Sequence, residues 1–211
     1  MASELIFYTN PMSRGRIARW MLEETGAEYE TVVLDYASSM KAGDYLAINP
    51  MGKVPAIVHH GQVVTECPAI CAYLADAFPE AGLAPPVDQR AAYYRWLFFA
   101  AGPVEQAVTM KSLGVDFPPE RSRMVGFGSY AELVDVLESA VSATPYIAGE
   151  SFTAADVYVG AQISWSTQFG TLPKRDGFTA YLDRILARPA YARANAKDDA
   201  LIAAAAAPVE A

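Results

Sequence analysis

The chain has 211 residues, of which 53% are hydrophobic, so it is long enough to form two small domains with cores of their own. Its 16 basic and 24 acidic side chains give a formal net charge of −8, which argues against nucleic-acid binding. No apolar run reaches the roughly 18 residues of a membrane-spanning helix, so we predict no membrane insertion. Two cysteines offer no disulfide framework, which favours a cytoplasmic location.

The first third of the chain alternates strand and helix patterns. Leu5 to Tyr8 is a short apolar run typical of a strand, and helical spacing from Ile17 to Glu24 ends at Gly26. The predicted strands cover residues 5–8, 29–34, 56–59 and 63–64, and the predicted helices cover 17–24, about 41–47 and 68–78. This region therefore has the order β-α-β-α-β-β-α.

The rest of the chain shows helix patterns and no convincing strand. A segment rich in Pro, Gly and Ala, residues 81–87, is predicted as a linker between a domain of residues 1–80 and an all-helical domain of residues 88–211. Thr153 and Asp156 have the spacing of a capping box at a helix start. The predicted helices cover 91–101, 104–113, about 119–141, 154–168 and 178–186, and the tail from Ala203 is predicted to fray.

The segment from Asn49 to Pro68 contains the most informative motifs. Val54-Pro55 lies at a strand entrance, where proline is tolerated, and it is a candidate cis peptide. Glu66-Cys67-Pro68 then begins a helix, whose free N–H groups and positive dipole end suit a carboxylate. An extended backbone edge beside an anion site predicts a small peptide-like ligand that carries carboxylates.

These motifs resemble the glutathione-binding core of the soluble glutathione S-transferases. The matching residues are Asn49-Pro50, Gly52-Lys53-Val54-Pro55 and Glu66, whereas Cys67 stands where the family usually has serine. The resemblance extends over nearly the whole chain. It implies a thioredoxin-like N-terminal domain followed by an all-α domain, a homodimer, and glutathione as co-substrate.

The resemblance also implies roles for individual residues in binding glutathione. Glu66 would accept a hydrogen bond from the γ-glutamyl ammonium, and the Cys67 backbone N–H would donate to the carboxylate. The Val54 backbone, beside Pro55, would pair with the cysteinyl peptide group, and Lys53 could reach the glycyl carboxylate. The alternatives are a helix-dipole role for Glu66 and a solvated surface position for Lys53.

A transferase must also stabilise the glutathione thiolate, because the thiol is mostly protonated at neutral pH. Three residues between the first strand and first helix could donate to the sulfur: Ser13, Tyr8 and Asn10. Two of them have a structural alternative, since Ser13 could cap the helix and Tyr8 could pack in the core. The pattern does not choose among them, although Ser13 is favoured by its position at the helix mouth.

The predicted activity is thiolate attack on an electrophilic, mainly apolar small molecule. Related reactions of the same site include dehalogenation, isomerisation, ether cleavage and peroxide reduction, and a non-catalytic ligand carrier is the main alternative. A glutaredoxin-like oxidoreductase is disfavoured because Asn10 and Ser13 replace active-site cysteines. No metal site is predicted, and His59 and His60 are expected to be exposed turn residues. The candidate residues for lining an apolar electrophile-binding site are Tyr94, Phe98, Phe99, Met110 and Trp165.

Overall fold

The computed structural model describes residues 4–206, and these divide into two compact units. The first unit comprises residues 4–82 together with 188–206, and the second comprises residues 83–187. The predicted division assigned everything after residue 88 to one helical domain. The structure instead groups the last helix with the sheet. Residues 207–211, the end of the tail predicted to fray, lie outside the described range.

The first unit is built on a four-stranded mixed sheet in the order β2-β1-β3-β4. Its strands are β1 (Leu5–Thr9), β2 (Glu30–Val33), β3 (Ala56–His59) and β4 (Gln62–Thr65). β1 runs parallel to β2 and antiparallel to β3, which forms a hairpin with β4. The crossover between β1 and β2 contains α1 (Gly15–Thr25), as a parallel pair requires. The thioredoxin-like fold predicted from the sequence is confirmed.

Two further helices of this unit follow β2 and β4. They are α2 (Gly43–Leu46), preceded by a 3-10 turn at Ser39–Lys41, and α3 (Cys67–Ala77). α1 ends at Gly26, whose φ of 69° is the left-handed conformation that glycine adopts without a Cβ penalty. The Val54–Pro55 peptide bond is cis, as predicted.

The last helix, α9 (Pro189–Ala206), packs along α1. The contact between the two helices includes four ion pairs, and the pair Arg19–Asp198 is fully buried, with a separation of 2.8 Å between Nε and Oδ1. The sequence pattern did not predict this helix beyond Pro189. Its alanine-rich sequence favours a helix but lacks an apolar stripe from which its position could be inferred.

The second unit is all-helical. Its α-helices are α4 (Ala91–Phe99), α5 (Glu105–Ser112), α6 (Tyr130–Ala143), α7 (Ala154–Gln168) and α8 (Asp176–Leu186). Pro103 was predicted to interrupt one helix, and a π-helical turn, Ala100–Val104, joins α4 to α5 there. Thr153 and Asp156 form the predicted capping box at the start of α7.

The predicted long helix of about 119–141 is wrong in its first half and confirmed in its second. A 3-10 segment occupies Pro119–Met124, and α6 begins only at Tyr130, where the Ser129 hydroxyl caps it by accepting from the Glu132 N–H at 3.2 Å. Gly128 has a φ of 67°, which a continuous α-helix does not allow. Gly126 and Gly128 disfavour a helix in this segment. The Ser129 cap determines where α6 begins.

Candidate functional site

Ser13 lies in the loop between β1 and α1, two residues before the helix begins. Its hydroxyl donates to the Asn10 carbonyl at 2.6 Å, and its Oγ accepts from the Gly15 N–H at 2.9 Å. The helix N-cap is Arg14, yet the Ser13 oxygen satisfies one of the free N–H groups of the first turn. Ser13 is therefore at the predicted place, with its proton engaged by a backbone carbonyl.

Asn10 is buried and braces the same loop. Its amide Nδ2 donates to the Leu34 carbonyl at 2.8 Å, and its Oδ1 accepts from the Met12 N–H at 2.9 Å. These bonds tie the loop to the segment after β2. They use one amide N–H for structure, and Asn10 as a thiolate donor stays a prediction.

Tyr8 packs at the edge of a small core of the sheet unit. Its ring lies 5.5 Å from that of Tyr45, and both rings contact the cluster formed around Leu34, Met40 and Ala56. This is the structural alternative considered for Tyr8. The ring is only partly buried, and its hydroxyl has no hydrogen-bond partner within residues 4–206, so a donor role also stays a prediction.

The extended segment before β3 is held by side chains from the preceding turn. The Lys53 carbonyl accepts from the Tyr45 hydroxyl at 2.5 Å and from the Asn49 amide at 2.8 Å. Lys41 Nζ donates to the Gly52 carbonyl at 2.8 Å and to that of Met51 at 3.2 Å. These contacts fix the backbone beside Val54 and leave the Lys53 side chain exposed to solvent.

Tyr45 and Lys41 were missed as supports of this segment. Burial raises the pKa of Tyr45 to about 12, so its hydroxyl remains a donor across the physiological range. Of these contacts, only the bond from the Asn49 amide to the Lys53 carbonyl joins residues close enough in sequence to be predicted. The Tyr45 and Lys41 bonds depend on how the 3-10 turn and α2 fold back.

Glu66 precedes α3 in an unusual backbone conformation. Its φ is 64° and its ψ is 116°, while its side chain is exposed. A non-glycine residue with positive φ costs on the order of 1–3 kcal/mol, and such strain concentrates at functional sites. Glu66 is therefore an exposed acidic residue at the N-cap of α3, next to the first N–H groups of that helix.

Cys67, the first residue of α3, is buried and joins two helix starts. Its Sγ donates to the Arg14 carbonyl at 3.7 Å, a weak hydrogen bond that links α3 to the beginning of α1. Cys71 lies behind it, fully buried, and its pKa is raised by its hydrogen bond with Cys67 and by burial. The Cys67 side chain is thus directed to protein backbone, and only its N–H is available for a ligand carboxylate.

The apolar candidates for an electrophile wall differ in exposure within the helical unit. Phe98 is 71% exposed and Tyr94 is 42% exposed, whereas Phe99, Met110 and Trp165 are partly buried. Single exposed aromatic side chains are normal on protein surfaces, so exposure alone does not assign these two residues a role. Phe98 and Tyr94 are nevertheless the members of the set most available to a ligand.

The prediction of two exposed histidines is half right. His60 is exposed, but His59 is buried: its ring stacks on Phe78 at 5.4 Å and its Nδ1 lies 3.0 Å from the Tyr73 hydroxyl. Strand β3 includes His59 and turns its side chain towards α3. Over residues 4–206, no set of three or more metal-ligating side chains is placed to hold an ion, and no helix is long and apolar enough to cross a membrane.

Comparison with known proteins identifies the family. The family model of the glutathione S-transferase N-terminal domain matches residues 3–76. A glutathione transferase from Methylococcus capsulatus is 30% identical and has a TM-score of 0.75, covering 93% of this chain and 99% of its own. A glutathione transferase homologue from Sulfitobacter, solved with bound glutathione, is 27% identical with a TM-score of 0.73 and covers the same shares, 93% and 99%.

A third relative is most similar in one segment. Protein LigF from Sphingobium sp. strain SYK-6 is 48% identical over 62 residues, which are 29% of this chain and 24% of its own. The structure of LigF, described as a beta-etherase, is 26% identical with a TM-score of 0.73, covering 92% of this chain and 99% of its own.

The chain belongs to the glutathione S-transferase family, as the sequence motifs predicted. The transferase activity and the thioredoxin-like and helical architecture predicted with it are confirmed. At identities of about 25–30% the class within the family is not assigned.

Proposed function

We propose that this transferase binds glutathione along residues 49–67 and activates its thiol at the start of α1 for attack on an electrophilic, mainly apolar small molecule. The strained, exposed Glu66 carries the binding part of the proposal. Its carboxylate would accept from the γ-glutamyl ammonium, and the Cys67 N–H would donate to the neighbouring carboxylate. The backbone of Val54 would pair with the cysteinyl peptide group, and Lys53 would meet the glycyl carboxylate.

Ser13 is the proposed donor to the glutathione sulfur. A thiolate is charged, and a hydrogen bond to a charged acceptor is stronger than one to a neutral carbonyl. Bound thiolate would therefore draw the Ser13 proton away from the Asn10 carbonyl, which keeps its bond from the Ser13 N–H at 3.1 Å. The thiolate sulfur would then attack the electrophilic carbon, and the leaving group would depart with the bonding electron pair.

Two substitutions test this donor. Ser13→Ala should raise the pKa of the bound thiol by at least about 1 unit, equivalent to about 1.4 kcal/mol of lost thiolate stabilisation. Tyr8→Phe is the matched hydroxyl removal on β1 and should change that pKa little. Thiolate absorbance against pH measures both. A large shift in Tyr8→Phe alone would assign the role to Tyr8, and no shift in either would leave Asn10 or backbone N–H groups as donors.

Binding is tested at Glu66. Glu66→Gln should weaken glutathione binding about tenfold or more, because a hydrogen bond between charged groups contributes ~1.5–3 kcal/mol. The melting temperature of the ligand-free protein should change little. Glu80→Gln, at another exposed acidic residue of the same unit, is the control. Unchanged affinity in titration calorimetry would mean that Glu66 serves only the helix dipole.

The main alternative predicted from the sequence is a non-catalytic glutathione carrier, and the membership of a family of transferases argues against it. A carrier would retain glutathione yet turn over no electrophile, whereas a transferase would conjugate a general aromatic halide. An etherase, dehalogenase, isomerase or peroxidase reaction would use the same activated thiol and differ in the electrophile.

The proposed setting is a cytoplasmic homodimer. The family supports the dimer, and the low cysteine content supports a reducing compartment. Light scattering at micromolar protein concentration tests the assembly. A monomeric mass at that concentration would contradict the proposed homodimer.

A further inference from the structure

Thr9, the last residue of β1, has a buried hydroxyl with no hydrogen-bond partner among residues 4–206. The residue is 0% exposed, and its Oγ1 is unpaired, while its backbone carbonyl accepts from the Leu34 N–H at 2.8 Å. Buried polar groups are nearly always paired, so an exception needs an explanation. Valine has nearly the same shape as threonine and would occupy this strand position without burying an unpaired hydroxyl.

The unpaired oxygen lies against the thiol-activating end of α1. A Cβ atom on Gly15 would come within 2.0 Å of Thr9 Oγ1 and 3.0 Å of Ser13 Oγ. Glycine is needed there because a side chain would collide with Thr9 Oγ1 and crowd Ser13 Oγ. The Thr9 and Ser13 hydroxyls therefore both lie against Gly15 without a hydrogen bond between them, and of the two only the Thr9 hydroxyl has no hydrogen-bond partner among residues 4–206.

We infer that Thr9 is a positioning residue for Ser13, a role that rests on the proposed function. When glutathione is bound, the Ser13 hydroxyl turns from the Asn10 carbonyl to the thiolate, and this movement brings Ser13 Oγ within hydrogen-bond reach of the Thr9 hydroxyl, which donates to it. Ser13 Oγ then accepts from Thr9 as well as from the Gly15 N–H. A hydroxyl that accepts two hydrogen bonds is polarised and becomes a stronger donor, which favours the thiolate.

The inference predicts that stability and thiol activation respond oppositely to loss of this hydroxyl. Thr9→Val should leave the melting temperature equal or higher, because it removes a buried unpaired group. It should also raise the pKa of the bound glutathione thiol by about 0.5 unit, which lowers the thiolate fraction at neutral pH roughly threefold. Thr9→Ser keeps the hydroxyl and should retain the wild-type thiol pKa.

Thr25 provides the matched control at the other end of α1. Its hydroxyl donates to the Leu22 carbonyl at 2.7 Å and accepts from the Ala27 N–H at 3.2 Å. Thr25→Val should therefore lower the melting temperature and leave the thiol pKa unchanged. Thr9→Val combined with Ser13→Ala should show the same thiol pKa as Ser13→Ala alone, because Thr9 acts only through Ser13.

Thiolate absorbance against pH, with kcat and KM for an aromatic halide, separates the outcomes. If the wild-type protein lowers the thiol pKa of bound glutathione and Thr9→Val leaves that pKa unchanged, this inference is overturned and the proposed function is not. An equal shift in the Ser13→Ala background would also overturn this inference, since Thr9 would then act independently of Ser13. A wild-type protein that binds no glutathione would overturn the proposed function and this inference together.

Discussion

Each unit of the molecule buries an aspartate completely, and the two carboxylates are stabilised in different ways. In the helical unit, Asp156 accepts four hydrogen bonds, all from uncharged donors. The donors are the N–H groups of Ile147 and Thr153 and the hydroxyls of Thr153 and Tyr181, at 2.8–3.0 Å. Both carboxylate oxygens of Asp156 therefore have two partners.

In the sheet unit, Asp198 has one charged partner. Its Oδ1 accepts from Arg19 Nε at 2.8 Å, but its Oδ2 and the Nη2 of Arg19 are both buried without a partner in the described part of the chain. Arg19 is otherwise surrounded by the rings of Phe7 and Tyr29 and by hydroxyls at 3.3 Å. The ion pair is thus incompletely satisfied, whereas the neutral network is complete.

Burial raises the pKa of both aspartates, and their partners only partly oppose it. Hydrogen bonds from backbone and hydroxyl donors act against the shift at Asp156, and the Arg19 charge acts against it at Asp198. A complete set of neutral donors stabilises a buried carboxylate without burying a second charge. An ion pair must overcome the desolvation of both partners.

The largest effect is expected where the network is complete. Asp156→Ala would leave several donors buried without an acceptor, each costing about 1–3 kcal/mol, so we expect the free energy of unfolding to fall by at least about 4 kcal/mol. Urea denaturation followed by fluorescence measures it. Asp183→Ala, at an exposed position on α8, should stay within about 0.5 kcal/mol of wild type. A loss below about 1 kcal/mol in Asp156→Ala would contradict the comparison.

The two aspartates also differ in how far they can be predicted from sequence. Thr153 and Asp156 are three residues apart, so local spacing alone indicated the capping box, although not the Tyr181 bond. Arg19 and Asp198 are separated by 179 residues, and Asp198 lies in a helix that the pattern missed. A pairing of that range depends on which faces of α1 and α9 meet, and no local pattern encodes it.

The candidate site shows the same limit. Motifs around Val54-Pro55 and Glu66 are local, and they indicated the fold, the cis bond and a helix start. The bonds of Ser13, the supporting role of Tyr45 and the buried Thr9 hydroxyl depend on side-chain positions across elements. These could be found only in the structure.

The second expected effect concerns the incomplete ion pair. Asp198→Leu leaves the Arg19 charge buried without a partner, and Arg19→Met does the same to Asp198, so each should lose about 3 kcal/mol or more. The double variant removes both charges and should lose less than either single variant. A double variant that loses the sum of the two would show that the charges do not interact.

The smallest effect concerns Glu23, a buried carboxylate of the same helix contact whose cationic partners are half exposed. Glu23, one turn after Arg19 on α1, accepts from Lys197 Nζ at 2.5 Å, from the Tyr29 hydroxyl at 2.7 Å and from Arg193 Nε at 3.2 Å. Burial acts to raise the pKa of Glu23, but the bonds from Lys197, Tyr29 and Arg193 outweigh it, and the pKa is lowered from 4.5. This is the opposite direction from the two buried aspartates.

The contribution of Glu23 to the free energy of unfolding should therefore change with pH in the opposite direction from those of Asp156 and Asp198. A lowered pKa stabilises the fold above the unfolded value and loses that contribution as pH falls through the folded value. The raised pKa values of Asp156 and Asp198 contribute most at low pH and lose their contribution as pH rises through the folded values. Glu23→Gln should cost about 1 kcal/mol at pH 7, because its cationic partners are half exposed, and clearly less below pH 4. Urea denaturation at the two pH values measures the difference, and an equal or larger cost in acid would mean that Glu23 is not held ionised by its partners.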